Sequence, residues 1–330
     1  MKILVTGGGG FLGRAILAQL PQVYPQAERH TLQRSDHPDL TQKGITQHLG
    51  PLTDANLVDQ AVAGSDLVFH VAAKAGVWGS YDSFHGPNVQ GTENILAACR
   101  KHGVKKLIYT STPSVVHSGS SLEGVDESVP YADHFSTHYP ATKAQAEKMV
   151  LAANDDKLST VALRPHLIWG PGDNHLVPRI VDRARRGRLR IVGPGDNLID
   201  GVFIDNAAQA HVLASQKLQP NAACAGKAYF ITQGEPVATK ELINGIVQAA
   251  GLPKVEKSIS PKAAYMVGFI LEMIFKTFGI QKEPPMTRFV AEQLATAHWY
   301  NIDAAKNDLG YDPKVSTAQG LALLKASFQD

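Results

Sequence analysis

The chain has 330 residues, 44% of them hydrophobic. That is enough for one large core with a smaller lobe beside it, and it excludes the small scaffolds that depend on disulfide or metal staples. Charged residues make up 19%, and 32 basic against 30 acidic side chains leave a formal net charge of +2, so nothing in the composition attracts nucleic acid. Only Cys99 and Cys224 are present, which predicts free thiols in a reduced, cytoplasmic chain.

The N-terminal run MKILVTGGGGFLG opens directly on a strand, Lys2 to Thr6, and lacks the pattern of a cleavable leader. Gly7 to Gly10 and Gly13 satisfy two phosphate-loop spacings, 7-10-13 and 8-10-13, and spacing alone does not choose between them. The context carries the reading: a strand ends at Thr6 and an amphipathic helix, Phe11 to Leu20, begins at once, so a pyrophosphate would sit on the helix N-terminus. Dinucleotide contacts are therefore expected from Gly7, Gly10, Phe11, Leu12 and Gly13. The second strand, His30 to Arg34, ends where an acidic residue would grip the ribose 2′-hydroxyl of NAD. Gln33 and Arg34 stand there instead; an uncharged side chain followed by a guanidinium suits a 2′-phosphate, so NADP is expected over NAD, with Asp36 the residue that argues the other way.

Further strands are predicted at Ile45–Leu49, Asp66–Ala72, Lys105–Ser111 and Thr160–Ile168, alternating with helices at Asp54–Val62, Asn88–His102 and Thr142–Ala153. Ala72, at the end of the fourth strand, is a further expected cofactor contact. The segment Lys74 to His85 leaves the sheet at its ligand-binding edge with Trp78, Tyr81 and Phe84, read either as a clamp on an acyl chain or as anchors for the loop. Asn88 is expected to cap the following helix. His166 is read either as a contact to a nicotinamide carboxamide or substrate carboxylate, or as a structural histidine.

The stretch HYPATK holds Tyr139 and Lys143 four residues apart, on one helical face. In a reductase the oxyanion that grows at a carbonyl needs a proton as hydride arrives. Free tyrosine, at a pKa of ~10, is about three units too high for reversible transfer at neutral pH, or roughly 4 kcal/mol. An ammonium ~4 Å away at an effective dielectric of ~20 supplies about that much, so Lys143 is expected to activate Tyr139 and to hold the cofactor ribose. Thr112 is the expected hydroxyl that polarises the carbonyl, with Ser111 as the second choice. No metal is called for.

Beyond Trp169 the pattern loosens. GPGD turns stand at 170–173 and 193–196, helices are predicted near 177–186, 240–250, 262–278, 287–297 and 317–328, and a strand near 228–232. The basic run at 183–190 reads as a solvated helix end, and Asp205 as the cap of a helix starting near Asn206. Residues 263–279 are strongly apolar but short of the ~20 needed to span a bilayer. Glu272 and Lys276 are spaced as an i,i+4 ion pair on an exposed face, and the apolar remainder is read as core, pocket lining or a membrane-surface face. The expected fold is α/β, a doubly wound parallel sheet (Rossmann fold) with a smaller, mostly helical C-terminal substrate domain. Residues 1–175, with 200–232 returning, would form the nucleotide-binding part; 176–199 and 233–330 would form the substrate part.

The blocks VTGGGGFLG, YTSTPSVV, YPATK, LRPHLIWGPGD, FIDNAAQAH and LGYDP resemble the extended short-chain dehydrogenase/reductases, in their 3β-hydroxysteroid dehydrogenase-like branch, along the full chain. Within it, AKAGVWGSYDSFH, CAGKAYFITQGEPV and EPPMTRFVAEQLATAHWY are similar to the bacterial reductases of long-chain olefin biosynthesis. The resemblance implies a triad of Thr112, Tyr139 and Lys143, a cradle of Gly7, Gly10 and Gly13, and a homodimer. It further implies NADPH-dependent reduction of a long-chain 2-alkyl-3-oxoalkanoic acid, with a β-lactone synthetase and a β-lactone decarboxylase as pathway partners. A 3β-hydroxysteroid dehydrogenase and a nucleotide-sugar epimerase are the alternatives. Where the family has Gly-Asp-Leu, this chain has Gly50, Pro51 and Leu52, so the adenine contact falls to the Leu52 backbone amide.

Overall fold

The computed structural model describes residues 1–329. Seven parallel strands form the main sheet: β1 (Lys2–Thr6), β2 (Glu28–Gln33), β3 (Thr46–Leu49), β4 (Leu67–His70), β5 (Lys106–Thr110), β6 (Ser159–Pro165) and β7 (Ala228–Ile231). Their order across the sheet is 7-6-5-4-1-2-3, so the winding reverses between β1 and β4, where an open α/β sheet leaves a crevice for a ligand. Along β1 the side chains alternate: Ile3 and Val5 pack to one face and Leu4 to the other, all fully buried. Strands covered on both faces read as near-continuous apolar runs, which is why the sequence pattern exposed them.

The helices of eight or more residues are α1 (Phe11–Val23), α2 (Ala55–Val62), α3 (Gly91–His102), α4 (His138–Ala152), α5 (Leu176–Arg185), α6 (Ile204–Lys217), α7 (Thr239–Ala249), α8 (Pro261–Thr277), α9 (Arg288–Ala295) and α10 (Thr317–Ala326). One face of the sheet is covered by α1 and α6 through Leu12, Ile16, Leu20, Ala207 and Ala210. The other is covered by α2, α3 and α4 through Val58, Val62, Ile95, Cys99, Ala146 and Val150. Both cysteines are buried and free.

A second, four-stranded sheet joins Val237–Ala238, Leu198–Ile199, His298–Tyr300 and Leu122–Val125. Its last strand belongs to the first half of the chain yet pairs with residues near the C-terminus. Strands of two to four residues carry too little periodicity to be read from sequence, and none of these was expected.

Three local expectations are corrected. The helix expected from Asn88 begins earlier: a turn at Tyr81–His85 runs through a π-helical turn, Gly86–Gln90, into α3, so Asn88 lies inside the helical stretch and caps nothing. Asp205 is not a cap either; α6 starts at Ile204 with Phe203 at the N-cap, and Asp205 sits in the first turn. Glu272 does not pair with Lys276. It is buried, accepting from the Arg288 backbone amide at 2.7 Å and the Arg288 Nε at 2.8 Å, because Gly268 lets α8 approach the 287–288 backbone closely. The basic run at 183–190 ends α5 as expected, with Arg186 bonded to Asp182 and Arg183 to the Pro285 carbonyl.

Helix α4 is fixed to the sheet by a buried ion pair. Arg164 on β6 donates from Nε to Glu147 Oε2 at 3.1 Å and from a terminal nitrogen to Oε1 at 2.6 Å, and the Tyr131 hydroxyl donates to the same carboxylate at 2.7 Å. Glu147 is fully buried and Arg164 nearly so. Glu147→Ala strands the guanidinium, and a loss of about 3–5 kcal/mol is expected in urea unfolding. The double change Glu147→Leu with Arg164→Met, which removes both charges, should lose far less.

Candidate active site

Gly7 adopts φ +72°, and its carbonyl lies 2.2 Å from where a Cβ on Gly13 would stand, so neither position tolerates a side chain without opening the loop. Gly8 is held by the Thr31 hydroxyl at 2.9 Å and Gly10 by the Gly7 carbonyl at 2.9 Å. A Cβ on Gly10 would meet only that carbonyl, at 3.2 Å, so the loop is open on that side. The amides of Phe11, Leu12 and Gly13 donate to no carbonyl among the described residues, and α1 has no acidic residue in its first turn. Free N–H groups, a helix dipole and a glycine wall form a built anion site, so the residues present fit a dinucleotide pyrophosphate.

Ala72 packs on Gly7, its Cα 3.1 Å from the Cβ position there. Arg34 is exposed just past β2 and makes no side-chain hydrogen bond or ion pair among the described residues; Gln33 is buried. Leu52 turns its side chain into the core against Gly91, its carbonyl accepts from Asn94 at 2.8 Å, and its amide has no acceptor among the described residues.

Below the loop runs a buried hydrogen-bond chain that sequence reading missed. Thr6 Oγ1, at the end of β1, accepts from the amides of Val71 and Ala72, both at 3.0 Å, so its own proton goes to His70 Nδ1 at 2.9 Å. That leaves the imidazole proton on Nε2, donated to Thr92 Oγ1 at 2.9 Å, and the Thr92 proton goes to the Asn88 carbonyl at 2.7 Å. Burial and the Lys143 charge lower the His70 pKa to about 3, which keeps this single-proton tautomer. Asn88 continues the chain: Oδ1 accepts from the Lys74 amide at 2.7 Å, and Nδ2 donates to the Lys74 carbonyl at 3.1 Å and to Thr142 Oγ1 at 3.0 Å. Thr142 lies between Tyr139 and Lys143 on α4. The signal in the sequence was only a Thr, a His and an Asn at strand and helix ends.

At the far side of the crevice β5 delivers Ser111 and Thr112, and the first turns of α4 deliver Tyr139 and Lys143. The Thr112 hydroxyl accepts from the Ser114 amide at 3.3 Å and donates to the Ser114 hydroxyl at 3.2 Å. Ser111 Oγ is buried without a partner among the described residues. Burial raises the Tyr139 pKa to about 12, and the Thr112 hydrogen bond pulls the other way. The expected electrostatic push from Lys143 is not what sets this value. The Lys143 ammonium donates to the Thr110 carbonyl at 2.5 Å and lies over the Tyr109 ring at 4.1 Å, and burial lowers its pKa to about 7 against the attraction of Glu147. The i,i+4 spacing put the two residues on one face; packing turned the lysine toward the end of β5.

The expected substrate residues occupy separate surroundings. Trp78 donates from its indole to the Ile280 carbonyl at 3.0 Å and stands edge-on to Phe275, tying the loop after β4 to the end of α8. Tyr81 is exposed and packs edge-on against His138, one residue before Tyr139. Phe84 is buried under the Lys74 ammonium. His166 is buried and donates from Nδ1 to the Asp200 carbonyl at 2.8 Å, with burial lowering its pKa to about 4.

Comparison with known proteins places these features in company. Residues 4–260 match the 3-beta hydroxysteroid dehydrogenase/isomerase family. The chain is 55% identical to a 2-alkyl-3-oxoalkanoate reductase of Stenotrophomonas maltophilia, over 99% of both chains. It is 48% identical to the protein of that name from Shewanella oneidensis, over 98% of this chain and 85% of the relative. A dTDP-glucose 4,6-dehydratase from Bacillus anthracis, solved in complex with NAD, shares the fold at a TM-score of 0.74 and 20% identity, over 100% of this chain and 96% of that one.

The cradle geometry predicts that Gly13→Ala, which forces the Gly7 carbonyl aside, weakens dinucleotide binding by at least about tenfold while costing about 1–3 kcal/mol of stability. Cofactor fluorescence titration and thermal unfolding read the two effects separately.

Proposed function

The chain belongs to the 3-beta hydroxysteroid dehydrogenase/isomerase family and is an oxidoreductase of the extended short-chain type, and from that premise we propose that it reduces 2-alkyl-3-oxoalkanoic acids to 2-alkyl-3-hydroxyalkanoic acids with NADPH. The observation that carries the substrate reading is the 55% identity to a reductase of that name over 99% of both chains. Pathway partners would be a β-lactone synthetase, which consumes a 3-hydroxy acid, and a β-lactone decarboxylase, which consumes the lactone so formed, and the working unit a homodimer. In this reading residues 1–175 and 200–232 serve the nucleotide, and 176–199 with 233–330 serve the substrate. Such substrates carry two alkyl chains that partition into lipid, so the proposed setting is the cytoplasmic surface of a membrane. No helix among the described residues is long and apolar enough to cross one.

In the mechanism we propose, Thr112 and Tyr139 hold the substrate carbonyl oxygen. Bound nicotinamide supplies hydride to the carbonyl carbon. Tyr139, held protonated by a pKa near 12, gives its proton to the oxygen as it becomes an alkoxide, a far stronger base than a phenolate. Reduction is thus matched to the resting protonation state, whereas oxidation must first draw a proton from the phenol. Lys143 holds the cofactor ribose from its post beside the Thr110 carbonyl, and Ser111 stands behind Thr112 as an unpartnered hydroxyl. Gly7, Gly10, Gly13 and the amides of Phe11 and Leu12 take the pyrophosphate, with Ala72 and the Leu52 amide flanking the nucleotide. Trp78 and Tyr81 line the side from which the alkyl chains enter, and His166 faces the nicotinamide end. NADP is favoured over NAD because Arg34 is a free guanidinium at the end of β2 and no acidic residue occupies the position of Gln33.

The test is oxidation of a long-chain 2-alkyl-3-hydroxyalkanoic acid beside a 3β-hydroxysteroid, with NADP⁺ and NAD⁺ in turn. Formation of NADPH from the branched acid alone is expected; turnover of the steroid alone overturns the substrate assignment. Tyr139→Phe should bind NADPH normally and lose at least about a thousandfold in kcat. Arg34→Ala should raise the KM for NADPH by about tenfold or more and leave that for NADH nearly unchanged.

A further inference from the structure

His117 is 7% exposed, yet neither of its ring nitrogens has a hydrogen-bond partner among the described residues. Buried polar groups are almost always bonded, so two open nitrogens on one ring mark a place that something else completes. A third open atom lies on the element that faces it: the Gln293 side-chain nitrogen is also buried without a partner among the described residues. Gln293 is one turn beyond Phe289 on the same face of α9, and Phe289 stands edge-on to the His117 ring at 6.4 Å.

The surroundings define what fits there. The His298 ring lies 4.8 Å from that of His117, and the His166 ring 6.1 Å from that of His298. Both neighbours have their proton committed. Thr296 gives its own proton to the Glu292 carbonyl, so its hydroxyl accepts from His298 Nε2 at 2.7 Å, and His166 Nδ1 donates to the Asp200 carbonyl at 2.8 Å. The carboxylates of the packed elements are engaged elsewhere: Asp200 by Thr232 and the Gly234 amide, Glu272 by Arg288, with Glu292 drawn to Arg288 as well. Tyr300, edge-on to His166, is the other titratable group packed there. Burial lowers the His117 pKa and no acid opposes it, so the ring is neutral at rest. Among the described residues no three such side chains are placed to share a metal ion. The cluster has open donors and a base, and what it lacks is an anion.

Its location ties it to the substrate. Thr112 stands at the N-cap of the 3₁₀ turn Pro113–Val116 and His117 at its C-cap, a rise of about 8 Å. His166 follows β6 directly, and α9 and the strand His298–Tyr300 belong to the part assigned above to the substrate. We propose that His117, with Gln293 beside it, is the subsite for the carboxylate of a 3-oxo acid whose carbonyl is held at Thr112; this rests on the substrate reading above. The acid enters as its anion, His117 takes up one proton from solvent, and the ion pair forms inside, with Gln293 donating a second bond. Neutral when empty and charged only when filled, the subsite never holds a lone buried cation. An ester or a plain ketone brings no charge to draw that proton in.

The experiment is calorimetric titration of the full chain, with NADPH and NADH both present, in buffers of different ionisation enthalpy. The ligands are a long-chain 2-alkyl-3-hydroxyalkanoic acid and its methyl ester. Uptake of about one proton per acid bound and none per ester is expected, with affinity for the acid alone falling by up to about tenfold per pH unit above neutrality. His117→Phe should abolish the uptake and weaken the acid by about tenfold to a hundredfold, leaving the ester unchanged. Gln293→Leu should weaken the acid by about tenfold with uptake intact, which keeps the test open where the histidine variant does not fold. Uptake that survives His117→Phe, or acid affinity unchanged by either variant, overturns the proposal and leaves the imidazole to a buried water. Turnover of the acid without proton uptake on binding condemns the subsite alone. Binding of neither ligand, with the steroid turned over, removes the substrate reading and the subsite with it.

Discussion

His70 is about 1% exposed, and with no water to turn to each of its ring nitrogens must find a protein partner. The two it finds lie on opposite sides of the winding reversal: Thr6 ends the strand that feeds the phosphate loop, and Thr92 opens the helix that follows β4. Because every hydroxyl in the chain has one proton to give, the direction of each bond is fixed once the two amides bonded to Thr6 are counted. The order then propagates from the cofactor loop through Asn88 to Thr142, between the tyrosine and the lysine. The relative placement of the glycine loop and Tyr139 is thereby set by a line of short bonds in a low-dielectric interior, where an unmade partner is costly.

The rest of the site follows from what that frame leaves room for. With α4 held by Glu147 and Arg164 beneath and by Asn88 at its first turn, Lys143 reaches the Thr110 carbonyl. Burial acts on the two ionisable side chains in opposite directions. It keeps the tyrosine protonated and brings the lysine down toward neutrality, where small changes in its surroundings shift its charge.

Much of this was legible in the amino-acid order because it is local. Glycines at 7, 10 and 13 between an apolar strand and an amphipathic helix have few other physical readings, and a tyrosine four residues before a lysine must share its face. What could not be read depends on partners distant in sequence. The Asn88 side chain looks like a cap until the π-helical turn places it inside the helix, and the direction of Lys143 depends on Tyr109 and Thr110 of a neighbouring strand. Glu272 and Lys276 have the spacing of a pair, but the close approach permitted by Gly268 gives the carboxylate a better donor in Arg288. The pairing of Leu122–Val125 with His298–Tyr300 has no local signal, since neither run is long enough to alternate.

That last pairing has a consequence for how the molecule comes into being. Leu122–Val125 leaves the ribosome about 170 residues ahead of its hydrogen-bonding neighbour, and at ~5–20 residues per second it waits on the order of ten to thirty seconds for that neighbour to be synthesised. During that interval the nascent chain displays an unmatched strand, the kind of template on which other chains aggregate. Its brevity, the charged Glu123 and the glycine kink at Gly124, φ +66°, make it a poor template. The shortness that makes the strand a poor template is the same shortness that hides it from inspection of the sequence.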